Sequence, residues 1–455
     1  MKEVFRTTRK ERVSFALFMA GQSMFNQFVN FFVLIFLTNA GIAAVAVGTI
    51  SLFTRVFDAV NDPVFGGIID RSRFRGGKFL PWLRLSNILL PLFLIFIFFM
   101  PAALSPAGRI LWAFLAYVFY SMAYTICDVP IFSMVSAITD GVQERVTIMS
   151  HNTLAGMAAT LIVVAAAPLA YPAVGWRITA LITAVLAAAL MVPMGRNARE
   201  RYLNKDPAPV TLKAMFHYVR GNRYLLRFFG GLLILNTTNT TQAAGAYFAA
   251  HNLGNPAFMG VLSLLLIIPM LFLLALLPHL TKRFDKFTLF RFFVCGLLGV
   301  SVISYFAGYE NSAIFFLFMI IRGFFWGGNG AMMLMFTSDF IEYGEFSTGK
   351  RLQGTAYSVQ TFVCKLMTAL SGTTAMFFMG AVGFIEGEGA VQSAGVLRAI
   401  WALVSLFPAF GAVLSLPFFL GYKLRDRDVQ IMAKANSGEI TREAADAALA
   451  GRYRT

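Results

Sequence analysis

The chain has 455 residues, of which 58% are hydrophobic and only 13% charged, with 48 phenylalanines. An ordinary soluble chain carries about 25% charged residues, so this one has too little polar surface to coat soluble domains of its size and reads as an integral membrane protein. Its formal net charge of +16 falls almost wholly between apolar runs, which points to membrane topology and away from a nucleic-acid partner.

A spanning helix needs about 20 apolar residues. Twelve such stretches follow one another, at approximately 13–37, 42–69, 82–103, 108–137, 147–171, 175–195, 225–250, 257–280, 289–308, 312–338, 353–380 and 397–422. The first has no small-residue cleavage pattern and is too long for a signal-peptide core, so it is expected to stay as a helix. Short cytoplasmic loops retain Lys and Arg, and 32 of the 38 basic residues fall at the N-terminus, in alternate loops and in the tail after Lys423. Only Arg109, Arg177 and Arg398 lie on the other side, and Arg55, Arg322 and Lys365 lie within spans. Both termini are therefore expected in the cytoplasm.

The longest connection, 196–224, is polar and holds two prolines. It divides the spans six and six, giving an N-terminal bundle over 1–195, a cytoplasmic linker over 196–224, a C-terminal bundle over 225–424 and a cytoplasmic tail over 425–455. Two six-helix halves of this kind suggest a transporter of the major facilitator type, with its substrate site near the bilayer midplane between them. Cys127, Cys295 and Cys364 all fall within spans and make no disulfide framework or metal set.

The polar residues inside the spans carry the chemistry. In "RVFDAVNDPVFGGIIDR", Arg55, Asp58, Asn61 and Asp62 are spaced i, i+3, i+6, i+7, which puts them on one helix face. A carboxylate inside a membrane costs roughly 2.5–3.5 kcal/mol even on a lenient scale, so two of them require a partner, a cation or water. Two carboxylates and an amide oxygen are hard ligands for a small cation; they could equally share a proton, or Arg55 could neutralise one acid in a structural pair. In "YTICDVPIFSM" of the fourth span, Asp128 lies one turn beyond Thr125 and next to Pro130, whose missing N–H frees a backbone carbonyl that is tolerated where it lines a cavity. The alternative is a buried Asp bonded to a neighbouring helix.

Two more faces are polar. The first span carries Gln22, Asn26 and Asn30 at i, i+4, i+8, and the seventh holds "NTTNTTQ", from Asn236 to Gln242. Interhelical glue and substrate contact account for these equally well. On the eleventh span Tyr357, Thr361 and Lys365 recur every four residues beside Gln360. A lysine at that depth needs an anionic partner or water.

Three other readings fail on chemistry. "GEFSTGKR" ends in Arg where a phosphate-binding loop needs Ser or Thr, and it follows an apolar span instead of a strand. The Asn-x-Thr sequons at Asn236 and Asn239 lie within a span, where glycosylation does not reach. Asp58 and Asp62 are sequential on one helix beside Arg55, a poor arrangement for a hydrolase that must converge two acids on one water. No enzymatic activity is expected.

The motifs "DAVNDPVFGGIID", "YTICDVPIFSMVSAITD", "DFIEYGE" and "GTAYSVQTFVCK" resemble the signatures of the glycoside-pentoside-hexuronide:cation symporters, in the right order and spacing from the first span to about Leu424. The resemblance implies a major facilitator fold and coupling to sodium, lithium or a proton, with no further cofactor. It implies that Asp58, Asn61, Asp62 and Thr125 hold the coupling cation, with Asp58 and Asp62 as ligands if that ion is sodium. Asp128 would stand between cation and sugar, and Arg55 and Lys365 would balance charge, with Lys365 linking the halves. Asp128, Ser23 and Phe132 would align with solute contacts, and the polar faces add Asn26, Asn239, Tyr357, Gln360 and Thr361 as candidate solute contacts.

The departures from that pattern bear on the substrate. Ser23 stands where melibiose permease, a member of the family, has a sugar-binding aspartate, Phe132 where it has a stacking tryptophan, and Met149 where it has a sugar-site arginine. Melibiose is therefore not the expected solute. The expectation is a carrier of a small polar solute, a sugar or glycoside, working as a monomer in a bacterial cytoplasmic membrane; the alternative is an amphiphile such as a lysolipid carried on the same fold.

Overall fold

The computed structural model describes residues 6–72, 74, 76–139, 142–202, 212–349, 351–420, 422–450 and 452–453. It is all-helical, in keeping with the apolar runs, since a lipid-facing backbone must satisfy its own hydrogen bonds. Among the described residues nine helices are long and apolar enough to cross a membrane, and a bent pair makes a tenth. Two of the twelve apolar stretches are hidden in that count. The fifth and sixth run together as α5 (Val142–Asn197), two helices joined by a turn at Gly175 with φ of 83°, a conformation that glycine adopts without steric cost. The seventh is broken into α7 (Arg223–Thr237), α8 (Thr241–Tyr247) and a π turn over Phe248–Asn252, each too short to span alone.

The chain forms two compact units. The first comprises Met1–Pro209, Gln242–Ser263 and Ala375–Ile400. In it α1 (Arg9–Asn39) runs along α5, while α3 (Leu80–Phe98) and α2 (Ala44–Arg71) pack on α4 (Pro106–Ile138). The α1–α5 approach is close enough that a Cβ at Gly21 would fall 2.4 Å from the Ala187 carbonyl oxygen.

Helix ends in this unit are closed by acids distant in sequence. Thr8 and Glu11 form a capping box at the start of α1, satisfying otherwise orphaned N–H groups. Glu200 accepts from the backbone N–H groups of Lys78, Phe79 and Leu80 at 2.7–2.9 Å, at the start of α3. Ala43, the residue before α2, offers no side-chain cap, and Glu386 supplies the acceptor by taking the Ala44 N–H at 2.9 Å. Nearby, the Thr38 hydroxyl meets the Tyr247 hydroxyl at 3.0 Å, and the Thr38 carbonyl accepts from Gly387 N–H at 3.0 Å. Buried Glu144 accepts from the Thr139 hydroxyl at 2.6 Å, from Thr7 N–H at 2.9 Å, from Arg6 N–H at 3.2 Å and from the Thr7 hydroxyl. Burial alone would raise its pKa, but the Thr139, Thr7 and Arg6 donors outweigh burial and hold it down at about 2.

The second unit comprises Val210–Thr241, Leu264–Thr374 and Trp401–Thr455. Here α7 packs on α14 (Phe407–Leu420), and α10 (Lys286–Ala307) packs on α14 and on α11 (Ser312–Thr348). A ring of aromatic side chains, Phe228, Phe290, Phe336, Phe419 and Tyr422, fills the space between them. The segment after the last apolar run is not loose. It forms α15 (Asp426–Asn436) and α16 (Arg442–Ala448), held by Asn436 Nδ2 on the Glu342 carbonyl and carboxylate at 3.0 Å and by the Tyr453 hydroxyl on Asp428 at 2.6 Å. Lys286 closes the same end by pairing with Asp339 at 2.6 Å and Asp426 at 3.4 Å.

Arg322, fully buried on α11, ties two helix breaks together. The last apolar run is bent by 46° between α13 (Ala394–Ser405) and α14, which frees carbonyls there. Arg322 donates to the Val404 carbonyl, to the Ser405 carbonyl at 2.9 Å, to the Ser304 hydroxyl at 2.8 Å and to the Thr241 hydroxyl at 3.4 Å. Thr240 and Thr241 donate in turn to the Leu403 and Val404 carbonyls at 2.6 and 2.9 Å. Part of the polarity of "NTTNTTQ" is thus used on the carbonyls freed at the bend of the last apolar run.

Candidate functional site

The α2–α4 contact places the intramembrane acids. Asp58 is buried and Asp62 half-buried, one turn apart on α2. Opposite them, Ser121 and Thr125 stand one turn apart on α4. Ser121 Oγ donates to Asp58 Oδ1 at 2.8 Å, and Thr125 Oγ1 lies 3.2 Å from Asp58 Oδ1 and 2.9 Å from Asp62 Oδ1. One hydroxyl carries one proton, so Thr125 cannot donate fully to both carboxylates at once. The two acids therefore share one donor between them.

A cavity of about 20 Å³ opens beside Asp58, walled by Asn26, Asn30, Thr54, Arg55, Ser121 and the Tyr117, Tyr120 and Tyr124 rings. That suits one water or a small ion, because a single such guest needs roughly 10–15 Å³ or more by this measure. Arg55 donates to Asn30 Oδ1, stands 5.9 Å from the Tyr117 ring centre and attracts Asp58 electrostatically. Among the described residues no group of three or more His, Cys, Asp and Glu side chains is placed to hold a metal ion. A cation at this site would draw on two carboxylates supplemented by neutral oxygens, a donor set that suits a monovalent ion or a proton.

The α1 stripe meets this region. Gln22 Nε2 donates to Asp128 Oδ1 at 2.8 Å and lies 3.4 Å from the Tyr124 hydroxyl, and Asn30 donates to Asn26 at 2.9 Å. Ser23 is half-buried against α5 at Gly156, where any side chain would collide with the serine hydroxyl. Phe132, one turn beyond Asp128, is exposed, as is Met149. Asn61 does not line the small cavity, and its Nδ2 is buried without a hydrogen-bond partner.

The remaining expected residues lie in the second unit. Asn239 sits in the break between α7 and α8, its carbonyl accepting from the Ser371 hydroxyl at 2.8 Å. On α12 (Gln353–Ala381), Tyr357 and Thr361 are exposed, with the Thr361 hydroxyl on the Tyr357 carbonyl at 3.1 Å. Gln360 and Lys365 are half-buried, and Gln360 Oε1 has no hydrogen-bond partner.

Sequence reasoning passed over Ser121 and the tyrosines of α4. The signal was present, since Ser121, Thr125 and Asp128 follow one another at i, i+4 and i+7. Gln22, on the polar face of the first span, has Asp128 as its partner.

The MFS/sugar transport protein family profile matches residues 14–426. A relative described as an uncharacterized symporter, YjmB of Bacillus subtilis (strain 168), is 29% identical over 440 residues, covering 93% of this chain and 94% of its own. A putative glycoside/cation symporter, YagG of Escherichia coli (strain K12), is 25% identical over 465 residues, covering 97% of this chain and 99% of its own. The crystal structure of the nucleoside transporter NupG superposes with a TM-score of 0.66 at 13% identity, covering 91% of this chain and all of that one, which shows the fold alone. With its profile, its apolar helices and this fold, the chain is a multi-pass membrane protein that belongs to the MFS/sugar transport protein family.

Proposed function

We propose that this protein is a secondary active carrier that couples inward movement of a sugar or glycoside to a monovalent cation or proton across a bacterial cytoplasmic membrane. The observation that carries the coupling is the Thr125 hydroxyl, shared between Asp58 and Asp62, of which Asp58 lines a cavity of water size. A cation or proton at that pair compensates charge that the membrane interior otherwise penalises. Asp128, three residues beyond Thr125 and bonded to Gln22, connects the ion site to the polar stripe of α1. The relatives described as symporters, one of them as a glycoside/cation symporter, support the same reading.

The mechanism is alternating access. The cation binds first, neutralises the α2 pair and releases Thr125 and Asp128 to orient toward the solute; by linkage the solute raises cation affinity by the same factor. Carriers that are empty or doubly loaded change state, and carriers with one ligand do so slowly. Asn61 as an additional cation ligand, Ser23, Asn26, Asn239, Tyr357, Gln360 and Thr361 as solute contacts, and Lys365 as the charge balancing the acids complete the proposal.

Uptake of a panel of glycosides, pentosides and uronates into proteoliposomes tests it. Accumulation of at least one of them that requires an imposed sodium, lithium or proton gradient is expected. Uptake restricted to an acyl-chain amphiphile, or transport indifferent to every gradient, would contradict it.

A further inference from the structure

We propose that the second unit carries a binding site for an anionic phospholipid. Amphipathic α6 (Leu212–Gly221), α7 and α12 enclose a cavity of about 490 Å³ whose eleven lining residues are all apolar, among them Phe216, Leu226, Phe229, Leu233, Phe362 and Leu366. A polar solute would lose its hydrogen bonds with water there and find none in return. Nor is the cavity on the polar side of α12. Its α12 wall is Val359, Phe362, Val363 and Leu366, a stripe at i, i+3, i+4, i+7, whereas Tyr357, Thr361 and Lys365 lie about 200° around the same helix. In a membrane protein an acyl chain is a group that fits an all-apolar cleft.

Charge selects the kind of lipid. Along α7, Arg223 is followed at i+3, i+7 and i+10 by Leu226, Gly230 and Leu233, so an exposed arginine heads the same stripe that lines the cavity. Exposed Arg220 follows Val219, which also lines it, at the end of α6. Exposed Arg220 and Arg223 thus lie at the end of the α6 and α7 stripes where the basic linker enters, with the Arg223 guanidinium 5.1 Å from the Tyr224 ring centre. The charge distribution puts that end in the cytoplasmic leaflet, where anionic headgroups gather and basic pockets hold them. The phosphate rests between Arg220 and Arg223 while one acyl chain fills the cleft below Leu226.

The test uses the full-length protein, stripped of lipid in a mild detergent, with apparent melting temperature as the readout. Dioleoyl phosphatidylglycerol, dioleoyl phosphatidylcholine and soluble glycerol phosphate are titrated separately. Phosphatidylglycerol should raise the melting temperature by several degrees, phosphatidylcholine by less than half as much, and glycerol phosphate not at all. R220Q/R223Q, two exposed positions, should cancel the difference between the lipids. L226W, which projects a larger ring into the cleft, should weaken the phosphatidylglycerol shift without lowering the lipid-free melting temperature. Equal shifts from both lipids, a shift from glycerol phosphate alone, or a phosphatidylglycerol shift that survives in full in both variants would overturn the proposal. So would competition between phosphatidylglycerol and a transported solute, which would make the cleft part of the transport route.

Discussion

Gln22 on α1 donates its amide to Asp128 on α4 across 2.8 Å, and this bond joins the polar stripe of α1 to the acid three residues beyond Thr125. Asp128 thereby has a neutral partner whose removal leaves the carboxylate without that donor in a low-dielectric setting. Gln22→Leu should reduce affinity for solute and cation together, by about tenfold for roughly 1.4 kcal/mol of lost interaction, with little effect on expression. Isothermal titration with sodium and with the transported glycoside measures both; a loss confined to one ligand would separate Asp128 from the shared role.

Thr125 gives a prediction specific to the cation. Thr125→Val keeps the shape but withdraws the hydroxyl within reach of Asp58 and Asp62, at a cost of about 1–3 kcal/mol for carboxylates that lose a buried donor. Cation affinity should change by tenfold or more, while Ser121→Ala, which touches Asp58 alone, should have the smaller effect. Equal effects would mean that bridging the two acids is unimportant.

Arg322 should matter for stability and not for coupling. Arg322→Lys retains the charge but cannot reach the Val404 and Ser405 carbonyls, Ser304 and Thr241 together, because one ammonium lacks the fork of donors. Its apparent melting temperature in detergent should fall by several degrees, with the stoichiometry of cation to solute unchanged in the protein that survives. An unchanged melting temperature would show that the bend needs no such tie.

Glu144 predicts a pH dependence. Its pKa is lowered on folding, so its contribution to stability is complete above its ordinary value of 4.5 and is lost as pH falls toward about 2. Glu144→Gln should lower stability at neutral pH by about 1–3 kcal/mol and flatten the decline in melting temperature between those two values. A variant whose decline parallels the parent would assign the acid sensitivity to other carboxylates.

Asp58, Asp62 and Asp128 were legible in the sequence because an acid in an apolar helix is expensive and therefore conspicuous. Ser121 and Gln22 were harder to read, since neutral polar groups cost little in a bundle and their partners lie on other helices. The break after Thr237 left no proline or glycine to mark it, whereas Pro408, four residues beyond Val404, marks one of the carbonyls that Arg322 satisfies. Glu386, which caps α2 from a loop 342 residues away, shows the same limit: backbone partners are set by packing. The twelve apolar runs were visible from hydropathy, and Gly175 marks the turn that separates the fifth from the sixth.

The central claim, that the α2 acids couple the ion to the solute, is tested most directly by accumulation in proteoliposomes carrying Asp62→Asn. An amide there imitates the charge-compensated pair, so solute should still equilibrate across the membrane with an affinity indifferent to sodium and pH, but no imposed gradient should concentrate it. Sodium- or proton-driven accumulation at the parent level would contradict the account and leave Asp62 a structural partner of Thr125.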